Sequence, residues 1–398
     1  MRWRITSLLL NLAHAIDHLM LLVFATAVSA IAHDFGVGRW EDLMPYTTGA
    51  FLMFGIGSLP SGRLGDLWGR RAMMLIFFFG MGACAMLIAL TRSPWQLALA
   101  LGLMGAFASI YHPVGIPMLL QHTRKPGITI GVNGMVGNLG IAAAAISTGF
   151  LIQYANWRMA FVVPGLVSVA CGLLFMKIAP AEQGAPGKRT VRQIELAPAI
   201  RNRVFLVMTM LAITTSILFN FTTNGNGELL MERLPILVRQ PALLGMLLAV
   251  VYALSSVSQL IVGRLIDRFP IRNVMLGIIA FQGPIFLFAA FSRGWTLYVA
   301  MVVFMVLVFG SIPFTDAIIA RFVDDSIRSR VSGVRLAVSF GVSSMAVWAL
   351  GPAVKAAGFG YALMALGAVA VCSFLITWQL PDERSIRSAS AAHSAQAA

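Results

Sequence analysis

The sequence predicts an all-α membrane protein: twelve transmembrane helices in two parallel six-helix repeats around a central cavity. Three observations predict it. Hydrophobic residues make up 59% of the 398 residues and charged residues 11%, with a mean hydropathy of +0.84. A soluble domain carries about 25% charged residues, so lipid must solvate most of this surface. Apolar runs of about 20 residues, the length that spans a bilayer as a helix, recur along almost the whole chain. Short polar motifs also recur half a chain apart.

In the first half the predicted spans lie near 5–33, 43–61, 72–91, 95–121, 129–153 and 157–178. In the second they lie near 204–226, 241–262, 273–292, 295–321, 331–354 and 358–380. None shows the dyad alternation of a membrane β-barrel. The first begins after "MRWR" and ends in "VSAIA", as a signal peptide does. Its apolar run is too long for one, and His14, Asp17 and His18 interrupt its core, so it reads as an uncleaved helix. Cys84, Cys171 and Cys372 fall inside spans and imply no disulfide framework.

The segment 179–202 contains "PAEQGAPGKRT" and reads as a cytoplasmic linker. It separates an N-terminal bundle, 1–178, from a C-terminal bundle, 203–380. The Ser/Ala-rich tail 381–398 reads as disordered.

The net charge of +14 would suggest nucleic acid in a soluble chain. Topology explains it better, because Lys and Arg concentrate in cytoplasmic loops. With the N-terminus inside, only Arg39, Arg92, Arg158, Arg233, Arg239, Arg293 and Lys355 of the 29 basic residues fall outside. Both termini are therefore expected in the cytoplasm, in a bacterial inner (plasma) membrane. No nucleic-acid partner is expected.

"GRLGDLWGRR" (Gly62 to Arg71) and "GRLIDRFPIR" (Gly263 to Arg272) align at an offset of 201 residues. Ser109 and Ser311, and Gly131 and Gly333, pair at an offset of 202. Two pairs at nearly one offset favour duplication, and both halves start inside, so the repeat is parallel. Parallel six-helix repeats with a midplane site describe one group of secondary transporters. The loop at Gly62, Asp66, Gly69, Arg70 and Arg71 resembles that of the major facilitator superfamily, as does its degenerate copy after the eighth span. "SIYHP" (Ser109 to Pro113), "VGNLG" (Val136 to Gly140) and a first-helix His followed closely by Asp are similar to its fosmidomycin-resistance branch. The fifth span lacks the Pro after Gly that marks many drug/proton antiporters, which argues against reading a direction from that span.

The resemblance implies a gating role for Gly62, Arg63, Asp66, Gly69, Arg70 and Arg71, and for Gly263, Arg264 and Asp267. Asp66 can face a helix N-terminus and pair with Arg70 or Arg71. The bland alternative is a topology signal. Asp316 and Arg335, both toward the cytoplasm, are expected to pair between helices. Arg335 can instead snorkel to the interface.

"NLAHAIDHLMLL" (Asn11 to Leu22) puts an acid and two histidines mid-membrane, at a few kcal/mol each. Asp17 is about twelve residues into its span, hence about 18 Å along it. Asn11, His14 and His18 are spaced by three and four with Asp17 adjacent, so they share one face. This face is expected to line the cavity and to exchange protons or touch substrate. The alternative is a neutral network that orients the helix. A metal site at His14, His18 and Asp17 is the less favoured option.

His112 precedes Pro113, a kink, and either joins this cavity or bonds the freed backbone. Asn133, Asn138, Asn220 and Asn224 are candidate substrate contacts, and "NGNGE" suggests either a broken seventh helix that serves as a mobile outer gate or an ordinary frayed helix end. The function expected is proton-coupled efflux of a small organic solute by a monomeric secondary transporter. No enzyme activity, cofactor or resident metal is expected. Import of a small organic acid is the runner-up, and a transporter-like membrane sensor is the alternative of another class. No Walker loop, zinc-protease helix or nucleophile elbow is present.

Overall fold

The computed structural model describes residues 2–121, 123, 126–180, 198–322 and 325–381. Among these the chain is helical throughout its spans. The first half contains α1 (Arg2–Asp34), α2 (Thr48–Trp68), α3 (Arg70–Ala89), α4 (Pro94–Leu120), α5 (Pro126–Tyr154) and α6 (Trp157–Ile178). The second contains α7 (Pro198–Arg233), α8 (Pro241–Arg268), α9 (Ile271–Phe291) and α10 (Gly294–Ile319). A last helical stretch, Asp325–Trp378, kinks at Gly358 and supplies α11 (325–357) and α12 (359–378).

Among the described residues, ten stretches are long and apolar enough to cross a membrane, with α11 and α12 counted as one. α2 is the twelfth crossing; its Gly, Ser and Pro residues lower its hydropathy. The protein is thus a multi-pass membrane protein of two six-helix bundles. The expected linker and tail fall mostly outside the described residues.

Local chemistry explains the turns. Gly69 joins α2 to α3 with φ at 87°, and Gly358 joins α11 to α12 with φ at 79°. L side chains rarely adopt these values. Ser93 and Asn156 cap α4 and α6 by accepting from the backbone amides of Gln96 and Met159. In lipid, helices associate through close packing of small residues. An added Cβ at Gly140 would run into the Ala15 carbonyl, and one at Gly105 into that of Ala50. These contacts press α5 onto α1 and α4 onto α2.

The repeat is visible in matching arginines. Arg71 donates to the carbonyls of Met176 and Ala179 at the end of α6. Its partner in the repeat, Arg272, donates to the carbonyl of Trp378 at the end of α12. Each ties the third helix of its bundle to the last.

Call the end where α1 finishes the far face. Here the bundles are joined. Ser29 of α1 donates to Glu228 of α7 at 2.6 Å, and Lys355 of α11 reaches Asp42 at 2.5 Å. The Ala242 amide of α8 donates to Gln153 of α5. Trp40 stacks on Phe359. Gly149 and Gly245 bring α5 and α8 into backbone contact. At the opposite end Arg63, Asp66, Arg264 and Asp267 are exposed. The far face is therefore the closed one.

One expectation changes. "NGNGE" does not break α7, which is continuous from Pro198 to Arg233. Asn224 donates to the Asn220 carbonyl four residues back, and Gly225 packs beside Leu350. Helical hydrogen bonding and neighbouring helices thus hold a sequence rich in Gly and Asn. Near the end of α7, Glu228 is buried at 6% exposure. Contact with α1 across the bundle interface, rather than sequence position, buries it.

Candidate transport site

The site is built on α1, α4 and α5. Asp17 is 0% exposed and His14 is 4% exposed. Helical spacing puts His14, Asp17 and His18 on one side of α1. The α4 backbone supplies a third histidine. Pro113 has no amide hydrogen, and residues Tyr111–Gly115 form a π turn. Such turns are frequent at functional sites. This one sets the His112 ring beside α1, with Nε2 3.8 Å from Asp17 Oδ2. Gly62 and Gly65 of α2 allow the close fit, lying against Pro113 and Val114.

The His14 imidazole meets those of His18 and His112 edge to face. The His14 ring centroid is 4.7 Å from that of His18 and 5.0 Å from that of His112. His14 also stacks on Tyr111 at 4.7 Å. Its Nδ1–H donates to the Asn133 carbonyl at 2.9 Å. A carbonyl only accepts, so Nδ1 carries the hydrogen in the neutral ring and Nε2 keeps its lone pair. Nε2 is buried and without a hydrogen-bond partner, as are both carboxylate oxygens of Asp17.

Asn133 is the organising residue. Its amide donates to Asn11 Oδ1 at 2.9 Å and to the Tyr111 hydroxyl oxygen at 2.7 Å. Asn11 in turn donates to the Ser7 carbonyl. This network fixes α1, α4 and α5 together around the histidines. Gly137 lies against the His14 ring; a Cβ there would sit 2.5 Å from it.

The C-terminal bundle closes one side. Phe340 of α11 meets Phe54 of α2 at 4.2 Å between centroids, and both rings border His112. The polar cluster therefore lies where the two bundles meet.

The expected site residues divide into two sets. Asn11, His14, Asp17, His18, His112 and Asn133 come together. Asn138 donates to the Gly134 carbonyl within its own helix. Asn220 joins α7 to α11 through Ser343 at 2.7 Å. Asn224 bonds within α7 and keeps a buried Oδ1 without a hydrogen-bond partner.

In the loop motif, Asp66 lies 3.9 Å from Arg70, its side chain 77% exposed. Arg71 serves the α6 carbonyls instead of Asp66. Gly263, Arg264 and Asp267 end α8 at the same face. Arg335 donates to Thr315 Oγ1 at 2.8 Å; the expected partner side chain, Asp316, lies outside the described residues.

Tyr111, Ser29 and Glu228 escaped the sequence reading. Tyr111 stands beside His112 in "SIYHP", but an aromatic residue in an apolar span carries no polar signal. Glu228 looked like a residue of a helix end.

Puromycin resistance protein pur8 of Streptomyces alboniger is 28% identical over 176 residues, covering 43% of this chain and 33% of that protein. The tetracenomycin C resistance and export protein of Streptomyces glaucescens is 29% identical over 183 residues, covering 43% and 34%. The 4-hydroxybenzoate transporter PcaK of Pseudomonas aeruginosa is 26% identical over 212 residues, covering 52% and 47%. The chain thus matches under half the length of each relative. Among solved structures, the inward open xylose transporter XylE from E. coli superposes with a TM-score of 0.77 at 13% identity, covering 96% of this chain and 97% of that one. A bacterial homologue of the human lysosomal transporter Spinster gives 0.72 at 14% identity, covering 94% and 93%. The profile of the Major Facilitator Superfamily matches residues 10–240, more than half of the sequence. The chain belongs to the Major Facilitator Superfamily.

Proposed function

We propose that the protein is a secondary active transporter that exports a small organic solute by alternating access, driven by protons moving inward. One observation carries this most: a buried carboxylate, Asp17, without a hydrogen bond, lies 3.8 Å from His112 of a three-histidine cluster at mid-membrane where two six-helix bundles meet. A membrane helix gains nothing in insertion from an acid there. The bundles 1–178 and 203–380 rock about this site, linked by 179–202, with the tail 381–398 outside them. Both termini face the cytoplasm, so the closed far face is periplasmic. The membrane is a bacterial plasma membrane, and the working unit is a monomer.

Export is supported by the resistance and export relatives, and by the resemblance of the His–Asp motif to the fosmidomycin-resistance branch. The loop at Gly62, Arg63, Asp66, Gly69, Arg70 and Arg71 acts as the cytoplasmic latch. Asp66 is exposed here because that face is open, and it engages when the face closes. Arg335 and Asp316 form a second contact of that gate.

The test is accumulation of a panel of labelled aromatic drugs and organic acids in cells expressing the protein. Export predicts lower accumulation of at least one compound, restored by a protonophore. Higher accumulation of an aromatic acid would support the second reading, import, which the 4-hydroxybenzoate relative favours. No change for any compound, with the protein inserted, would indicate a sensor and overturn transport.

A further inference from the structure

We propose that His14, His18, His112 and Asp17 form a binding site for a divalent transition-metal ion of the zinc class. Sequence spacing offered two histidines and an acid, a thin ligand set. The fold adds a third histidine from another helix. One ring nitrogen from each histidine lies within 4.8 Å of the others. Asp17 Oδ2 is 3.8 Å from His112 Nε2. Zinc binds imidazole nitrogen and carboxylate oxygen at about 2.0–2.2 Å, tetrahedrally, so neighbouring ligand atoms sit about 3.3 Å apart. The three imidazoles form the core of the site, and Asp17, placed beside His112, is the fourth ligand in reach by a side-chain rotation.

Three further features fit a metal. The Asn133 carbonyl fixes His14 with Nδ1 protonated, which leaves Nε2 as the donor. This is the outer-shell arrangement that metal-ligating histidines use. The Nε2 lone pair and both Asp17 oxygens are buried without partners, a costly state that a cation relieves. Three nitrogens and one carboxylate suit Zn²⁺, Co²⁺ or Ni²⁺, whereas Mg²⁺ and Ca²⁺ take oxygen ligands. That the ion enters along the central pathway rests on the transporter reading; binding itself does not.

The experiment uses full-length, tag-free, metal-stripped protein in detergent, titrated with Co²⁺. The expected result is the intense visible spectrum of four-coordinate Co²⁺, saturating at one ion per chain. Zn²⁺ should displace it and Mg²⁺ should not. His18→Ala, His112→Ala and Asp17→Asn should each weaken binding by about tenfold or more, while His33→Ala leaves it unchanged. Size-exclusion profile and melting temperature identify any variant that fails to fold. Asp17→Asn keeps the side-chain shape and serves if the alanine variants fail.

Absence of the spectrum and of Zn²⁺ binding in folded wild type would overturn the site. So would undiminished binding in folded Asp17→Asn and His112→Ala. A solute-export assay run with and without chelator separates the two proposals. Export without any metal binding sinks only the metal site. Metal binding by a protein that moves no solute sinks only the transport reading.

Discussion

The carboxylate of Asp17 on α1 lies 3.8 Å from Nε2 of His112 on α4, and a proline-induced π turn sets that separation. Neither residue is near the other in sequence. The pair joins two helices of the N-terminal bundle at the depth where the C-terminal bundle closes over them through Phe340.

Gly137→Ala places a methyl group 2.5 Å from the His14 ring. The imidazole must shift off its bond to Asn133 or α5 must move off α1. Overpacking of this kind costs about 1–3 kcal/mol. A lower melting temperature in detergent, with loss of any ligand-induced stabilisation, is expected. Wild-type values for both would show that the ring is free to move.

Asp66→Ala should leave the protein inserted and reduce turnover at least about tenfold, since one tenfold step is about 1.4 kcal/mol and charge-assisted contacts are worth about that much or more. Unchanged turnover would reduce the loop to a topology signal. Because Asp66 is exposed in this conformation, its melting temperature should barely change.

Glu228→Ala removes the acceptor of the Ser29 hydroxyl, a contact between the bundles at the far face. The far face should open more often. A cysteine at Ala32, buried in this conformation, should then react faster with an impermeant maleimide in a background lacking native cysteines. Equal or slower labelling would mean that the contact is not part of the closure.

A reporter active only in the cytoplasm, fused after Ala398, should be active, and one requiring the periplasm should be silent. The opposite pattern would invert the topology and make the closed face cytoplasmic.

The architecture was legible because its cause is one-dimensional. Apolar length, the basic loops and the repeated "GRL" motif report on span number, orientation and duplication without reference to contacts. The helix-one cluster was legible for the same reason, since spacing by three and four places Asn11, His14 and His18 on one face. The rest depended on contacts between helices. His112 was ambiguous because only the packed π turn of α4 decides whether its ring meets Asp17 or its own backbone. Asn220 and Asn138 resemble Asn133 in sequence, yet only Asn133 faces the histidines. Glu228 carried no signal because burial at a helix end depends on the opposing bundle. "NGNGE" looked breakable because Gly and Asn weaken an isolated helix, and packing against α11 and α12 overrides that preference.

The most direct test of transport through this site is solute movement in proteoliposomes under an imposed pH gradient, comparing wild type with Asp17→Asn. The solute is the compound giving the largest thermal shift in a screen of metabolites and drugs. Wild type should move it against its gradient and stop when the pH difference is collapsed. Asp17→Asn keeps shape and hydrogen bonding, so it should insert and exchange solute across the membrane while losing gradient-driven accumulation. Gradient-driven accumulation in Asp17→Asn equal to wild type would contradict the assignment of Asp17 to coupling and leave the cluster as a helix-orienting network.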